Sequence, residues 1–159
     1  DALRAQLDAL LAHFCIIHLC GKGHVNAALQ GRAGYFQMEY ADSQLPDLFA
    51  ATDLVLSRAG ATALFEFAAL ELPVLAVPLP LGASRGDQIE NAKDFSSRGW
   101  LHVLPQEDMT PETLRAALQK LWQQRDACRA ALSQANMAGA AERVVAEIEH
   151  AAMRNKGKK

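Results

Sequence analysis

The run Asp53-Leu54-Val55-Leu56-Ser57-Arg58-Ala59-Gly60-Ala61-Thr62-Ala63-Leu64-Phe65-Glu66 holds the residue types and spacing best suited to chemistry. An apolar segment of strand length ends in the small residues Ala59-Gly60-Ala61. A helix-forming segment follows, with a carboxylate, Glu66, about one and a half turns in. Small residues let a ligand approach the backbone closely. The first N–H groups of a helix have no partner within it, so those of Gly60-Ala61-Thr62 are suited to hold phosphate. A nearby carboxylate accepts two hydrogen bonds from a ribose diol. The stretch points to a nucleotide or nucleotide-sugar site. The same small residues also serve a tight strand-to-helix turn required only for packing, and Glu66 also reads as a solvated helix residue.

Two more segments fall on the same edge if the strands are parallel, because open parallel sheets bind ligands beyond their carboxyl ends. One is His18-Leu19-Cys20-Gly21-Lys22-Gly23; the other is Pro78 to Gln88. In the second, Asp87 and Gln88 offer an acceptor and an amide suited to sugar hydroxyls, while Asp87 or Ser84 equally suits a helix cap. Arg58 either pairs with a phosphate or covers a helix end. His18 is a structural histidine or a ligand-edge residue, and Lys22 is a lone candidate phosphate partner. His13, His24, His102 and His150 lack metal-ligand spacing, and no metal site or cofactor is expected. No GxSxG, Walker loop or HExxH occurs.

The elements that must position these residues follow from periodicity. Leu3, Leu7, Leu10 and Leu11 predict an amphipathic helix over 2–13. Strands are predicted at 14–19, 35–40, 54–57, 74–77 and 100–104. Helices are predicted at 25–29, 44–51, 62–70 and 87–97, then from Thr110 to about 122, at 123–134 and at 140–153. Fully apolar short strands such as Val74 to Val77 suit a parallel sheet covered on both faces. Repeated strand–helix units predict an α/β fold: a doubly wound, Rossmann-like parallel sheet with helices on both faces.

The chain has 159 residues, half of them hydrophobic, enough for one domain, predicted over 1–153. Residues 154–159 read as a basic disordered tail, either solvated or weakly drawn to an anionic membrane surface. A net charge of −2 with no basic face argues against a nucleic-acid partner. Cys15 and Cys20 lie in an apolar run and read as small core residues. With Cys128 they form no CxxC pair, which suits a reducing cytoplasm. No apolar run reaches the roughly 18 residues of a spanning helix. The opening at Asp1 rather than Met suggests a piece of a longer protein.

Ser57-Arg58-Ala59-Gly60-Ala61, Glu66, Leu72-Pro73, Val77-Pro78-Leu79, Ala83-Ser84-Arg85-Gly86-Asp87-Gln88 and Asn91-Ala92, in that order, resemble the nucleotide-binding half of the MurG-like transferases of glycosyltransferase family 28. His18 with Gly21-Lys22-Gly23, and Ala141-Glu142-Arg143-Val144, extend the resemblance over most of the chain. It implies the C-terminal half of a two-domain GT-B enzyme, inverting and needing no metal. Such an enzyme moves N-acetylglucosamine from UDP-N-acetylglucosamine to lipid I, giving lipid II for peptidoglycan, on the inner face of the cell membrane.

The matched positions imply roles. Glu66 would hold the ribose hydroxyls. The backbone of Ala61, Thr62 and Ala63 would bind the diphosphate. Asp87 and Gln88 would read the sugar, and Tyr40 and Ala41 would border the uracil. Where the family often carries a hydroxyl residue, Ala63 offers backbone only; where it often has Gln, Asp87 accepts but does not donate when ionised.

The resemblance also implies parts that lie outside this chain. These are a first, central strand with its Gly-rich loop, and an acceptor domain carrying the general base. The sheet is therefore expected to hold a gap, a rearrangement or a partner's strand, and the chain alone is expected not to catalyse transfer. Other UDP-sugar GT-B transferases such as a glycolipid synthase, a non-catalytic donor-binding subunit of a two-chain transferase, and a doubly wound domain with another ligand are the competing readings.

Overall fold

A computed structural model describes residues 2–137 and 139–156. Among the described residues there are five strands: β1 (Ile16–Leu19), β2 (Tyr35–Met38), β3 (Val55–Ser57), β4 (Val74–Ala76) and β5 (Leu101–Val103). The helices are α1 (Ala2–Ala5), α2 (Leu7–Leu11), α3 (Leu45–Ala50), α4 (Ala61–Ala69), α5 (Asp87–Ser97), α6 (Pro111–Ala135) and α7 (Ala140–Lys156). Short 3₁₀ turns cover Ala27–Leu29, Asp42–Gln44 and Gln106–Asp108.

All strand pairings are parallel, and helices cover both faces of the larger sheet. Alternation along β4 shows how. Val74 and Ala76 join Leu64, Phe67, Ala92 and Phe95 on one face, so α4 and α5 lie there. Leu75 and Val77 join Leu10, Leu114, Leu118, Leu121 and Cys128 on the other, beneath α2 and α6. Successive side chains of a strand point to opposite faces, so an uninterrupted apolar run is what a two-sided core requires.

The sheet is split. Among the described residues β1 pairs only with β2, while β3, β4 and β5 form a separate ladder in that order. The expected gap therefore lies between β1 and β3. Both strands still feed one apolar layer, since Ile16 of β1 and Leu56 of β3 pack on the same cluster.

Four expectations need correction. The region from Thr110 to Gln134 is one 25-residue helix rather than two. No Gly or Pro interrupts it, and its buried stripe Leu114, Leu118, Leu121, Cys128, Leu132 continues through residue 123 at helical spacing. The predicted first helix is broken at Gln6 into α1 and α2. Cys15 is exposed and Cys20 only half-buried, because strand β1 begins at Ile16 and leaves Cys15 in the loop before it; Cys128 is the buried thiol. At the other end, α7 runs on to Lys156, so 154–156 are helical. Residues 157–159 of the predicted tail lie outside the described residues.

Candidate functional site

Strand β3 ends at Ser57, and α4 starts at Ala61 with Gly60 as its N-cap. Gly60 has φ −69° and ψ 133°, ordinary extended geometry, and no side chain caps the helix. The first backbone bond at this end runs from Leu64 N–H to the Gly60 carbonyl. The N–H groups of Ala61, Thr62 and Ala63 have no partner among the described residues. Ala61 and Thr62 are exposed, and a Cβ built on Gly60 meets nothing within 4 Å. The corner is open, while buried Ala59 packs the turn from behind. Open amides at a helix start carry positive potential, the requirement for an anion site.

Glu66 is exposed and stands one turn beyond Thr62 on the same helical face. It lines a groove of about 740 Å³ between α3 and α4, with Leu45, Pro46, Phe49 and Ala69. Helix α3 follows the segment that holds Tyr40 and Ala41. Tyr40 is exposed; Ala41 is buried, and its carbonyl accepts from Gln44 N–H at 2.8 Å.

The loop after β4 is internally tied. Ser84 Oγ accepts from Gly86 N–H at 3.2 Å, so Ser84 organises the turn rather than capping α5. Gly86 has φ +90° and stands at the N-cap. Asp87 is exposed at the first helical position. Gln88 is half-buried, and its Oε1 accepts from Leu79 N–H at 3.1 Å. That bond fixes the amide orientation: the oxygen is engaged and the NH₂ remains to donate. Asn91 Nδ2 donates to the Ala59 carbonyl at 3.1 Å. Two helix starts distant in sequence, carrying Gly60 to Glu66 and Asp87 to Gln88, are thereby held together.

Arg58 is exposed, and its Nη1 donates to the Val77 carbonyl at 3.1 Å and to Gln106 Oε1 at 2.6 Å. His18 lies apart from this corner. Its Nδ1 is 2.8 Å from the Tyr35 hydroxyl, within the β1–β2 pair. Burial, with help from the Arg4 charge, pushes its pKa below the ordinary value of 6.5. No hydrogen bond among the described residues links His18, Tyr40 or Ala41 to the start of α4. Asn91 was legible only as part of a motif, and Gln106 gave no sequence signal, since its partner lies 48 residues away.

The sequence matches the family described as "Glycosyltransferase family 28 C-terminal domain" over residues 2–148. The chain belongs to this family. Among family 28 relatives, it is 45% identical over 152 residues to the UDP-N-acetylglucosamine--N-acetylmuramyl-(pentapeptide) pyrophosphoryl-undecaprenol N-acetylglucosamine transferase of Geobacillus kaustophilus, covering 96% of this chain and 43% of the relative. The enzyme of the same name from Lachnospira eligens is 50% identical over 125 residues, covering 79% of this chain and 35% of the relative. The crystal structure of Acinetobacter baumannii MurG superposes with a TM-score of 0.71 at 27% identity, covering 94% of this chain and 46% of that one. The family 28 domain thus has the MurG fold, and it spans less than half the length of these relatives.

Proposed function

We propose that this chain is the donor-binding domain of a transferase that moves N-acetylglucosamine from UDP-N-acetylglucosamine onto lipid I, making lipid II for peptidoglycan. The observation that carries the reading is the bare amino end of α4, with open space at Gly60 before it and Glu66 on the same face one turn beyond Thr62. The names of the relatives agree with it.

In this reading the amides of Ala61, Thr62 and Ala63 hold the diphosphate, and Arg58 adds positive charge beside them. Glu66 accepts from the two ribose hydroxyls. The uracil lies along Tyr40 and Ala41, on the side of α3. Asp87 accepts from sugar hydroxyls, and the free NH₂ of Gln88 donates to them. Transfer by inversion means attack of the acceptor hydroxyl on the anomeric carbon as UDP departs. The fixed amides lower the barrier by meeting the charge that grows on the leaving diphosphate. The acceptor site and the general base belong to a further domain, while the gap between β1 and β3 would be filled by the first strand of this donor-binding domain itself. The whole enzyme would work at the inner face of the cytoplasmic membrane as a peripheral protein; among the described residues no helix is long and apolar enough to cross one.

Calorimetric titration of the full-length protein with UDP-N-acetylglucosamine tests this. Glu66→Ala removes two charge-assisted hydrogen bonds and is expected to weaken binding by about tenfold or more with the fold intact. Unchanged affinity would remove the ribose assignment. A donor panel of UDP-glucose and UDP-galactose checks the sugar.

A further inference from the structure

Arg58 leaves the end of β3 and reaches across the exits of the two neighbouring strands. It meets the Val77 carbonyl just past β4, then Gln106 in the 3₁₀ turn after β5. Both bonds come from Nη1. That nitrogen carries two hydrogens, so both are engaged. Three N–H groups remain, one on Nε and two on Nη2. None has a partner among the described residues, and the side chain is exposed.

One acceptor lies at the end of the sheet and the other on a half-buried side chain. Val77 N–H donates to the Ser57 carbonyl at 2.8 Å, so the backbone of Val77 is held beside the residue before Arg58. Gln106 is half-buried and follows Pro105, whose ring fixes the backbone there. A planar fork held at one nitrogen by two acceptors is restricted in rotation, so its opposite edge is the one left to face a ligand. That edge, Nε with Nη2, presents parallel N–H groups that match two oxygens of one phosphate.

We infer that Gln106 is a positioning residue for donor binding: it holds Arg58 through Nη1, so that the Nε–Nη2 edge is the face offered to the diphosphate. The inference rests on the donor-site reading above. Gln106 touches no ligand and acts only through Arg58. Without Gln106 the guanidinium pivots about its single remaining bond, to the Val77 carbonyl, and part of its interaction with phosphate is lost.

The experiment is a double-mutant cycle in the full-length protein, with Gln106→Ala, Arg58→Ala and both together. Affinity is read for UDP by direct titration and for uridine by displacement. Gln106→Ala is expected to weaken UDP binding about fivefold to tenfold and to leave uridine binding unchanged. In the Arg58→Ala background it is expected to add nothing. Gln106→Glu keeps an acceptor for Nη1 and is expected to recover most of the UDP affinity. Additive losses would overturn the inference, as would equal losses for UDP and uridine, or an unaltered Gln106→Ala. A wild-type protein that binds no UDP overturns the donor-site reading and this inference together. Tight wild-type binding with no effect of Gln106 overturns the inference alone.

Discussion

Asn91, at the start of the second turn of α5, donates its side-chain amide to the carbonyl of Ala59 across 3.1 Å. This bond joins the helix that carries Asp87 and Gln88 to the turn that bares the amides of α4. The bond ties the two groups of candidate ligand residues together. Removing the donor leaves the carbonyl of buried Ala59 unpaired, and reversing its polarity is worse. Asn91→Ala is expected to cost about 1 kcal/mol of stability, and Asn91→Asp, which sets a carboxylate against a carbonyl, up to about 3 kcal/mol. Chemical denaturation measures the loss. Titration with UDP-N-acetylglucosamine is expected to show reduced affinity in both variants.

Two glycines at the helix starts behave in opposite ways. At Gly60 the backbone is ordinary and a new Cβ meets nothing within 4 Å. Alanine there restricts the unfolded chain, which stabilises, but it is the poorer N-cap. The two effects offset to within about 0.5 kcal/mol. The methyl instead occupies the space assigned to the diphosphate, so donor affinity is expected to fall severalfold at unchanged melting temperature. At Gly86, φ is +90° and a Cβ comes within 2.9 Å of Leu81 Cδ2. Gly86→Ala is expected to cost roughly 1–2 kcal/mol through the left-handed backbone. Thermal unfolding of the two variants separates these cases.

Histidine protonation is expected to contribute to the loss of stability in acid. Burial and the Arg4 charge lower the pKa of His18, and burial with the Lys120 charge lowers that of His102. In both cases the folded value lies below the unfolded value of about 6.5. The unfolded chain then binds the proton first, so the neutral rings contribute fully above about pH 7. That contribution is lost as pH falls below 6.5 toward the folded values. The neutral ring of His18 can accept from the Tyr35 hydroxyl, whereas the protonated ring cannot. His18→Asn is expected to flatten the decline in melting temperature between about pH 7 and pH 5. An unaltered slope would remove His18 as a source.

The parts of this molecule that were legible in the sequence share one cause. Strands β3 and β4 and helix α5 are set by local pattern: apolar runs, Pro73 before a strand, and Gly86 and Gly99 at the two ends of a helix. The opening at Gly60-Ala61-Thr62 was legible because small residues and a bare helix start are local properties. Bonds that span the fold were not legible. Asn91 to Ala59 and Arg58 to Gln106 join residues 32 and 48 positions apart, and no spacing rule announces them. The continuity of α6 was missed for a different reason. A polar stretch after Trp122 reads as a break, yet Cys128 and Leu132 carry the buried stripe onward, and tertiary packing decides the outcome. The split sheet followed from the resemblance rather than from periodicity, since the runs for β1 and β3 look like those of interior strands.

The split makes the two inner edges distinguishable by hydrogen exchange. In a parallel ladder alternate residues bond to one neighbour, and the others face the opposite edge. Ile16 and Cys20 donate to the β2 side, at 2.8 Å to Gly34 O and 2.9 Å to Met38 O. The N–H groups of Ile17 and Leu19 therefore face the gap. On β3, Val55 donates to Pro73 O at 2.8 Å on the β4 side, which leaves Leu56 facing the gap. Leu75, fully buried in the strand flanked on both sides, faces no edge. In the 159-residue chain the amides of Ile17, Leu19 and Leu56 are expected to exchange orders of magnitude faster than that of Leu75. A polypeptide extended before Asp1 that lays a strand between β1 and β3 is expected to slow those three amides and leave Leu75 as it was. Exchange followed by mass spectrometry with fragmentation reads both chains. Protection of Ile17, Leu19 and Leu56 already at the level of Leu75 in the short chain would show that the two sheets close on each other without an added strand.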